Sequence, residues 1–207
     1  MNASFTQPFQ TNPTPSMMGI RRLQRRHAQL APRGQRPTDR LFVAVLPPPD
    51  VAARIGDLAR RLRLGHGLSG RPLEAEHFHV TLFHVGDGIG LPLEIVDAVT
   101  ERTASVAMPP FKIAFDRVES FRNGAFVLRG DESVIGLEVL HQRLSDAFDT
   151  RPGLARAFTP HLTLLRDSHL VDEHYIEPID WTVREVVLVH SLLGRTTHRH
   201  LARLPLA

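Results

Sequence analysis

The chain of 207 residues contains no cysteine and a single lysine, Lys112. The absence of cysteine excludes disulfides, thiolate metal sites and a cysteine nucleophile. No apolar run approaches the roughly 18 residues that a membrane-spanning helix needs, and the first residues lack the apolar segment of a secretory signal. We therefore expect a cytoplasmic enzyme or binding protein, and the length suffices for one domain with its own hydrophobic core.

Positive charge is concentrated in the first 40 residues, which hold seven arginines and one acidic residue, Asp39. The same stretch is rich in proline, threonine and glutamine, and it has too few apolar residues to offset the entropy cost of ordering it. We predict a flexible basic leader over residues 1–39 and a folded domain over residues 40–207. A solvated tail, a contact with RNA or another acidic partner, and a transit peptide remain open as interpretations of the leader.

Short apolar runs alternate with segments of helical spacing in the rest of the chain. Helices are predicted over residues 50–64, 91–106 and 133–148. Strands are predicted over residues 41–46, 79–85, 111–121, 125–129, 161–166, 181–193 and 200–204, the last two as a closing pair. Asn123-Gly124 is a strong hairpin signal. This pattern favours an antiparallel-rich α+β fold or α/β sandwich over a doubly wound parallel sheet.

The tetrapeptide His-x-Thr-Leu occurs twice, at residues 79–82 and 161–164. No other histidine has serine or threonine two residues later. Residues i and i+2 of a strand lie on the same face. His79 and Thr81 are therefore expected on one face, as are His161 and Thr163, with the aliphatic residues between and after them on the opposite, core-facing side.

Two imidazoles and two hydroxyls that face one cleft suit phosphoryl chemistry without a metal. A neutral imidazole accepts a proton from the nucleophile, an imidazolium protonates the leaving oxygen, and the hydroxyls donate hydrogen bonds to the charged phosphate oxygens. The structural alternative is a pair of core or edge histidines whose threonines merely suit strands. The matched context of the two motifs favours the catalytic interpretation.

Three segments carry a resemblance to a known family. Residues 40–47, Arg-Leu-Phe-Val-Ala-Val-Leu-Pro, resemble its opening strand, the first motif follows the first helix, and residues 159–166, Thr-Pro-His-Leu-Thr-Leu-Leu-Arg, resemble its second motif. The sequence over residues 40–207 is similar to the 2H phosphoesterase superfamily, and within it to the bacterial 2′-5′ RNA ligase-like (RNA 2′,3′-cyclic phosphodiesterase) branch. The first motif continues as Phe83-His84-Val85-Gly86, where such proteins often have a Phe-Leu-Gly ending, so His84 departs from their pattern.

The resemblance implies a bilobal fold of two pseudo-symmetric α+β halves, with the cleft between their sheets. It implies a metal-independent reaction that opens RNA 2′,3′-cyclic phosphate ends to 2′-phosphomonoesters, in some members with reversible 2′-5′ ligation. No cofactor is implied, and we expect a monomer that acts on RNA ends or nucleoside 2′,3′-cyclic phosphates. By this resemblance His79 is the acid on the 3′ leaving oxygen, His161 is the base on water, and Thr81 and Thr163 bind the phosphate.

Two further residues are candidates for substrate binding. Arg166 lies five residues after His161, so strict alternation places it on the opposite face; it reaches the substrate only if the strand ends or bulges there, and the alternative is a surface salt bridge. Phe42 is a candidate for stacking on a base at the cleft rim, and core packing is its alternative.

Histidines cluster at residues 77, 79 and 84 and again at 198 and 200, which raises a metal interpretation. Apart from one glutamate, no acidic residue or cysteine adjoins them at a familiar ligand spacing, and we predict no metal site. Two other functions remain open. One is a non-catalytic protein that binds RNA ends, and the other is a phosphodiesterase for small cyclic nucleotides or ADP-ribose cyclic phosphate.

Overall fold

The computed structural model of the chain describes residues 35–148 and 158–207. Most of the predicted leader lies outside the described residues, so its flexibility stays a prediction. The described part begins shortly before the first strand, where the backbone of Thr38 already pairs with Gly88 and Leu193.

The described residues form eight strands and three α-helices, named here in chain order. The strands are β1 Asp39–Val45, β2 Val80–Gly88, β3 Phe111–Ser120, β4 Ala125–Arg129, β5 Leu162–Arg166, β6 His174–Val183, β7 Glu185–Leu192 and β8 Thr197–Pro205. The helices are α1 Pro49–Gly65, α2 Leu93–Ala104 and α3 Ile135–Ala147. Single 3₁₀ turns lie at Ala75–His77 and Glu132–Val134.

The strands form two four-stranded antiparallel sheets. Sheet A has the order β2-β1-β7-β8, and sheet B has the order β5-β4-β3-β6. The predicted α+β class is confirmed, and the succession of strand, helix and histidine-bearing strand occurs in each half. Both histidine motifs lie on edge strands, because β2 is at one edge of sheet A and β5 is at one edge of sheet B.

One hydrophobic core joins the two sheets and the helices. The predicted first helix is confirmed as α1, and its side chains Val51, Ile55 and Leu58 are buried on one face. This helix begins at Pro49, the third of three consecutive prolines, which cannot donate to the ladder of β1 and suit the first turn of a helix. Helix α1 contacts β5 and β6 of sheet B, and α3 contacts β2 of sheet A and β3 of sheet B.

The predicted Asn-Gly hairpin joins β3 to β4. Gly124 has a φ of 80°, and a Cβ placed there would lie 2.6 Å from the carbonyl oxygen of Asp167. Only glycine satisfies both conditions, because other residues rarely adopt this φ and would also meet that oxygen.

The predicted closing strand over residues 181–193 is wrong in one respect. It is two strands in different sheets, with Arg184 between them: β6 ends in sheet B at Val183, and β7 begins in sheet A at Glu185. The first part of β6 escaped prediction because it contains Pro178 and exposes most of its residues. An outer strand tolerates both features, since one of its edges has no partner strand. The predicted pairing of β7 with β8 is confirmed.

No helix in residues 35–148 and 158–207 is long and apolar enough to cross a membrane.

Candidate functional site

The two histidine motifs occupy equivalent positions on β2 and β5. Each histidine is the residue immediately before the strand, and each threonine is the second residue of the strand. The histidines and threonines are partly exposed, whereas the aliphatic residues between and after them, Val80, Leu82, Leu162 and Leu164, are buried in the core. The alternation that the motifs predicted is therefore present in both.

The imidazoles of His79 and His161 are held in the same way. The Nδ1 of His79 lies 2.7 Å from the carbonyl oxygen of His77, and the Nδ1 of His161 lies 2.7 Å from the carbonyl oxygen of Thr159. A carbonyl oxygen only accepts hydrogen bonds, so Nδ1 carries the hydrogen in both rings. The Nε2 atom of each ring is left to exchange a proton with a bound molecule.

The fold brings the two histidines near each other. Strands β2 and β5 contact each other across the two sheets. Burial lowers the pKa of His79, a hydrogen bond to the backbone of His77 opposes this, and the charges of His161 and His77 lower the pKa further. The two rings are therefore close enough for the charge of His161 to act on His79.

His161 lies beside arginines. Burial lowers its pKa, the hydrogen bond to the carbonyl of Thr159 opposes this, and the charges of Arg129 and Arg166 lower it further. The ring of Phe121 packs edge-on against His161, with ring centroids 4.9 Å apart.

His79 lies beside aromatic rings instead. Its ring centroid is 5.0 Å from that of Phe42 and 5.3 Å from that of His198. Phe42 is only 4% exposed and belongs to a small apolar cluster on this face of sheet A, completed by Ala44, Val187 and Val189. The contacts of Phe42 favour packing against His79 over stacking on a base.

Thr81 and Thr163 lie on the same faces as their histidines. Thr81 is opposite Ala44 in the apolar cluster, and Thr163 is opposite Val127 on β4. Neither hydroxyl has a hydrogen-bond partner within the residues that the structure describes, so both remain available to a bound molecule.

A β-bulge in β5 places Arg166 on the face of Thr163. Thr163 pairs with Val127 and Arg166 with Ala125, and these two β4 residues share a face because they are two apart. The bulge adds one residue to β5, so Leu164 and Leu165 both point into the core. The guanidinium of Arg166 is exposed and makes no ion pair with the described residues.

Strand β2 has a bulge at the equivalent place. Thr81 pairs with Ala44 and His84 with Phe42, so His84 lies on the same face as Thr81. His84 therefore corresponds to Arg166 in the other half, five residues after the motif histidine in each. Its Nε2 lies 2.8 Å from the carboxylate of Asp87, which also binds Arg40.

Two further histidines, His77 and His198, lie beside His79. The ring of His198 packs edge-on against His77 at 5.1 Å as well as against His79. Burial, followed by the charges of His79 and His77, lowers the pKa of His198 to about 4. Within residues 35–148 and 158–207, no group of three or more histidines and carboxylates has a geometry that could hold a metal ion.

Two residues that shape this site were not predicted from the sequence. Arg129 ends β4 beside His161, and Asp167 follows Arg166 and accepts hydrogen bonds from Ser69 and Gly70. Arg129 carries no local signal, because β4 and β5 are joined through α3 and their pairing is long-range. Asp167 carries no such signal either, since its partners are nearly 100 residues away in the chain.

The fold is similar to those of several proteins of known structure. The structure of Escherichia coli LigT complexed with 3′-AMP has 27% sequence identity and a TM-score of 0.65, covering 83% of this chain and 99% of that chain. A phosphoesterase crystal structure has 28% identity and a TM-score of 0.65 over the same shares. The protein TT0787 of Thermus thermophilus shares the fold, at 22% identity and a TM-score of 0.64, over 81% of this chain and 97% of that one.

Escherichia coli LigT has also been crystallised with phosphate, ATP and NADP⁺. No curated protein sequence matches the chain. Residues 47–195 match the family model of the 2′-5′ RNA ligase superfamily, which is most of the chain and includes both histidine motifs. The chain belongs to the 2′-5′ RNA ligase superfamily, whose members are 2H phosphoesterases.

Proposed function

We propose that the protein is a metal-independent phosphodiesterase that opens RNA 2′,3′-cyclic phosphate ends to 2′-phosphomonoesters. The observation that carries this proposal is the matched pair of imidazoles. His79 and His161 stand at equivalent positions of two contacting strands, and both keep Nε2 free by donating Nδ1–H to a carbonyl two residues earlier. Such a pair offers one group to accept a proton and one to donate it.

The reaction is a displacement at phosphorus by water. The water oxygen forms a bond to phosphorus while its proton passes to Nε2 of His161, which is neutral at the start. The bond from phosphorus to the 3′ oxygen breaks, and the leaving oxygen takes the proton from Nε2 of His79, which is protonated at the start. The product is a 2′-phosphomonoester with a free 3′ hydroxyl, and the enzyme regains its starting state by exchanging one proton at each ring with solvent.

The other candidate residues stabilise the charge on the phosphate. The hydroxyls of Thr81 and Thr163 have no partner among the described residues and lie on the motif faces, so each can donate a hydrogen bond to a non-bridging oxygen. Arg166 shares the face of Thr163 and adds a guanidinium, whose donors match phosphate oxygens. Phe42 acts through His79 by packing against its ring.

The same geometry supports ligation when an RNA 5′ hydroxyl replaces water. The 5′ oxygen then attacks phosphorus, the 3′ oxygen leaves as before, and the product is a 2′-5′ phosphodiester. No group of the described site distinguishes a hydroxyl of RNA from that of water, so the concentration and placement of the RNA end decide between the two outcomes.

Turnover of nucleoside 2′,3′-cyclic phosphates in the presence of EDTA tests this function. We expect hydrolysis at an unchanged rate with EDTA, because the two histidines supply both proton transfers. Phosphorus NMR of the product should show the 2′-phosphomonoester and not the 3′ isomer. The His169→Ala variant is a suitable control, since His169 is an exposed histidine outside the two motif faces.

Three outcomes would contradict the proposal in different ways. A rate that collapses on chelation would indicate a metal-bound hydroxide. Tight binding of an RNA oligonucleotide with a cyclic phosphate end, without turnover, would indicate a binding protein for RNA ends. Turnover of small cyclic nucleotides or ADP-ribose cyclic phosphate, but not of RNA ends, would indicate a small-molecule phosphodiesterase.

A further inference from the structure

The two halves of the site differ in the residue opposite each histidine. Val45 pairs with Val80, and one step further the register places Leu46 opposite His79. Leu128 pairs with Leu162, and one step further the register places Arg129 opposite His161. Directly opposed residues of antiparallel strands have Cβ atoms about 4.5–5.5 Å apart. An apolar side chain therefore adjoins one imidazole and a guanidinium adjoins the other.

Arg129 is fixed in place by Glu119 of the next strand. Its Nη1 donates a 2.5 Å hydrogen bond to Oε1 of Glu119, and the side chains of Arg129 and Glu119 are only 26% and 21% exposed. The Nε of Arg129 is buried and has no hydrogen-bond partner within the described residues. Its positive charge is thus held close to His161 and is only partly screened by water.

Among the described residues, no arginine charge acts on His79; the groups whose charges lower its pKa are the imidazoles of His161 and His77. The rings in contact with it are those of Phe42 and His198. Because the pKa of His198 is about 4, that ring is neutral at pH 6–8. The charged groups that act on His161 are Arg129 on β4 and the exposed Arg166 on its own strand.

A cation beside an imidazole disfavours its protonated form. When two otherwise similar titratable groups lie in environments of different charge, the environments separate their roles as acid and base. The half of the site with the guanidinium is suited to the neutral imidazole, and the half without it is suited to the imidazolium.

We propose that Arg129, held by Glu119, is a positioning residue that keeps His161 unprotonated while His79 holds the shared proton, and thereby sets the direction of proton transfer across the site. This inference rests on the proposed function, in which His161 is the base and His79 the acid. Arg129 acts through His161 and need not touch the substrate. After each reaction it also favours release of the proton that His161 has taken from water.

The test is a histidine titration followed by NMR of the ring Cε1–H resonances, on the full chain without substrate. The resonances of His79 and His161 are assigned with the variants His79→Gln and His161→Gln. In Arg129→Gln we expect the His161 titration to move to higher pH by roughly 0.5–1 unit, with His79 much less affected. In Glu119→Gln the guanidinium of Arg129 loses its partner, and we expect the His161 titration to move to lower pH.

Two further variants separate charge from packing. Arg129→Lys keeps the positive charge, so the His161 titration should stay near that of the wild type. Arg40→Gln removes an arginine of a cross-strand pair with Asp87, at the far end of β1 from Leu46, and should move neither motif histidine. In assays of cyclic phosphate turnover, the acidic limb of kcat/KM should move upward in Arg129→Gln and not in Arg129→Lys.

An unchanged His161 titration in Arg129→Gln, or an equal movement of His79, would overturn the inference. A loss of kcat/KM that is uniform over pH, with both limbs unmoved, would also overturn it and would assign Arg129 to phosphate binding. Absence of turnover by the wild-type protein would instead overturn the proposed function. The two failures are distinguishable because the titration needs no substrate.

Discussion

The carboxylate of Asp167 accepts a 2.6 Å hydrogen bond from the backbone amide of Gly70 and so joins the end of β5 to the loop that leads to His79. The same carboxylate accepts hydrogen bonds from the hydroxyl of Ser69 and the amide of His169. A Cβ built on Gly70 would lie 2.0 Å from the carbonyl oxygen of Arg166, so no other residue fits there without a backbone shift. The loop that leads to His79 is thereby fixed against β5, the strand that follows His161.

Replacement of Asp167 by alanine should loosen this junction and displace His79 relative to His161. We expect kcat/KM to fall by roughly tenfold to a hundredfold, since small displacements of catalytic groups have effects of this size. The pKa of Asp167 is about 2, owing first to the amide of His169 and then to that of Gly70, so the loss should be the same at every assay pH above 4.

Asp172→Ala serves as the matched control, because this carboxylate lies in the same loop and has no hydrogen-bond partner within the described residues. Full activity of Asp167→Ala would contradict the role given to the junction. Gly70→Ala should resemble Asp167→Ala in kcat/KM, because the new methyl group meets the backbone of Arg166.

Replacement of either motif histidine by alanine should remove about 10²–10⁴-fold of the rate, the usual range for a positioned acid or base. The double variant His79→Ala/His161→Ala should be scarcely slower than either single variant, because the two groups act as a unit. Steady-state rates and melting curves of the three variants measure both effects. Near-normal turnover by either single variant would remove that histidine from the mechanism.

Replacement of Thr81 or Thr163 by valine should lower kcat roughly tenfold to a thousandfold, as expected when one donor to a developing phosphate charge is lost. Valine keeps the shape and strand preference of threonine, so the fold should be retained. Thr182→Val on β6 is the control, since it makes the same change outside the motif strands. Equal rates in all three variants would show that the motif hydroxyls do not contact the phosphate.

The pH dependence follows from the direction of the pKa shifts. Burial lowers the pKa of both His79 and His161 from the ordinary value near 6.5, so both rings are mainly neutral at pH 8 in the free protein. The proposed reaction needs one proton on the pair. We therefore expect kcat/KM to rise as the pH falls from 8 to 6, and to decline again when the second ring is protonated.

The two limbs of this profile belong to the pair rather than to named residues. Measurement of kcat/KM between pH 4.5 and 9 on a nucleoside 2′,3′-cyclic phosphate gives both. A maximum above pH 8 would be incompatible with two depressed histidine pKa values.

We propose that the basic leader lies outside the catalytic domain, and its deletion tests this. The deletion should end at residue 34, because Thr38 and Asp39 belong to the fold: Asp39 is buried and lies 2.6 Å from Nε2 of His190. Turnover of small cyclic nucleotides and the melting temperature should be unchanged. If the arginines contact RNA, affinity for longer oligonucleotides should fall on deletion, and the difference should shrink at high salt.

The elements that carry the site could be predicted from local sequence, because periodicity and turn residues determine them. The motif strands, the hairpin at Gly124 and the helix with Ile55 on its buried face are of this kind. The face of Arg166 could not be predicted, because it depends on a bulge that arises only when β5 pairs with β4.

Contacts between residues that are far apart in the chain could not be predicted from the sequence either. The environment of Phe42 depends on strands β2, β7 and β8, and that of Arg129 on β3 and β5. Neither spacing nor composition indicates which side chain stands opposite a histidine in a neighbouring strand. The placement of the two histidines and two threonines on their strands could therefore be predicted from the motifs, whereas the groups around them required the tertiary structure.

Sheet A is made from both ends of the described chain, since β1 pairs with β7, whereas the strands of sheet B all lie between Phe111 and Val183. During synthesis, sheet B can therefore form before the residues that complete sheet A have left the ribosome. Strand β1 lies between β2 and β7, so the support beneath His79 is incomplete until residues 185–192 are available. We therefore expect the proposed activity to require residues 185–192, so that a chain that contains both motifs but ends before β7 should be inactive.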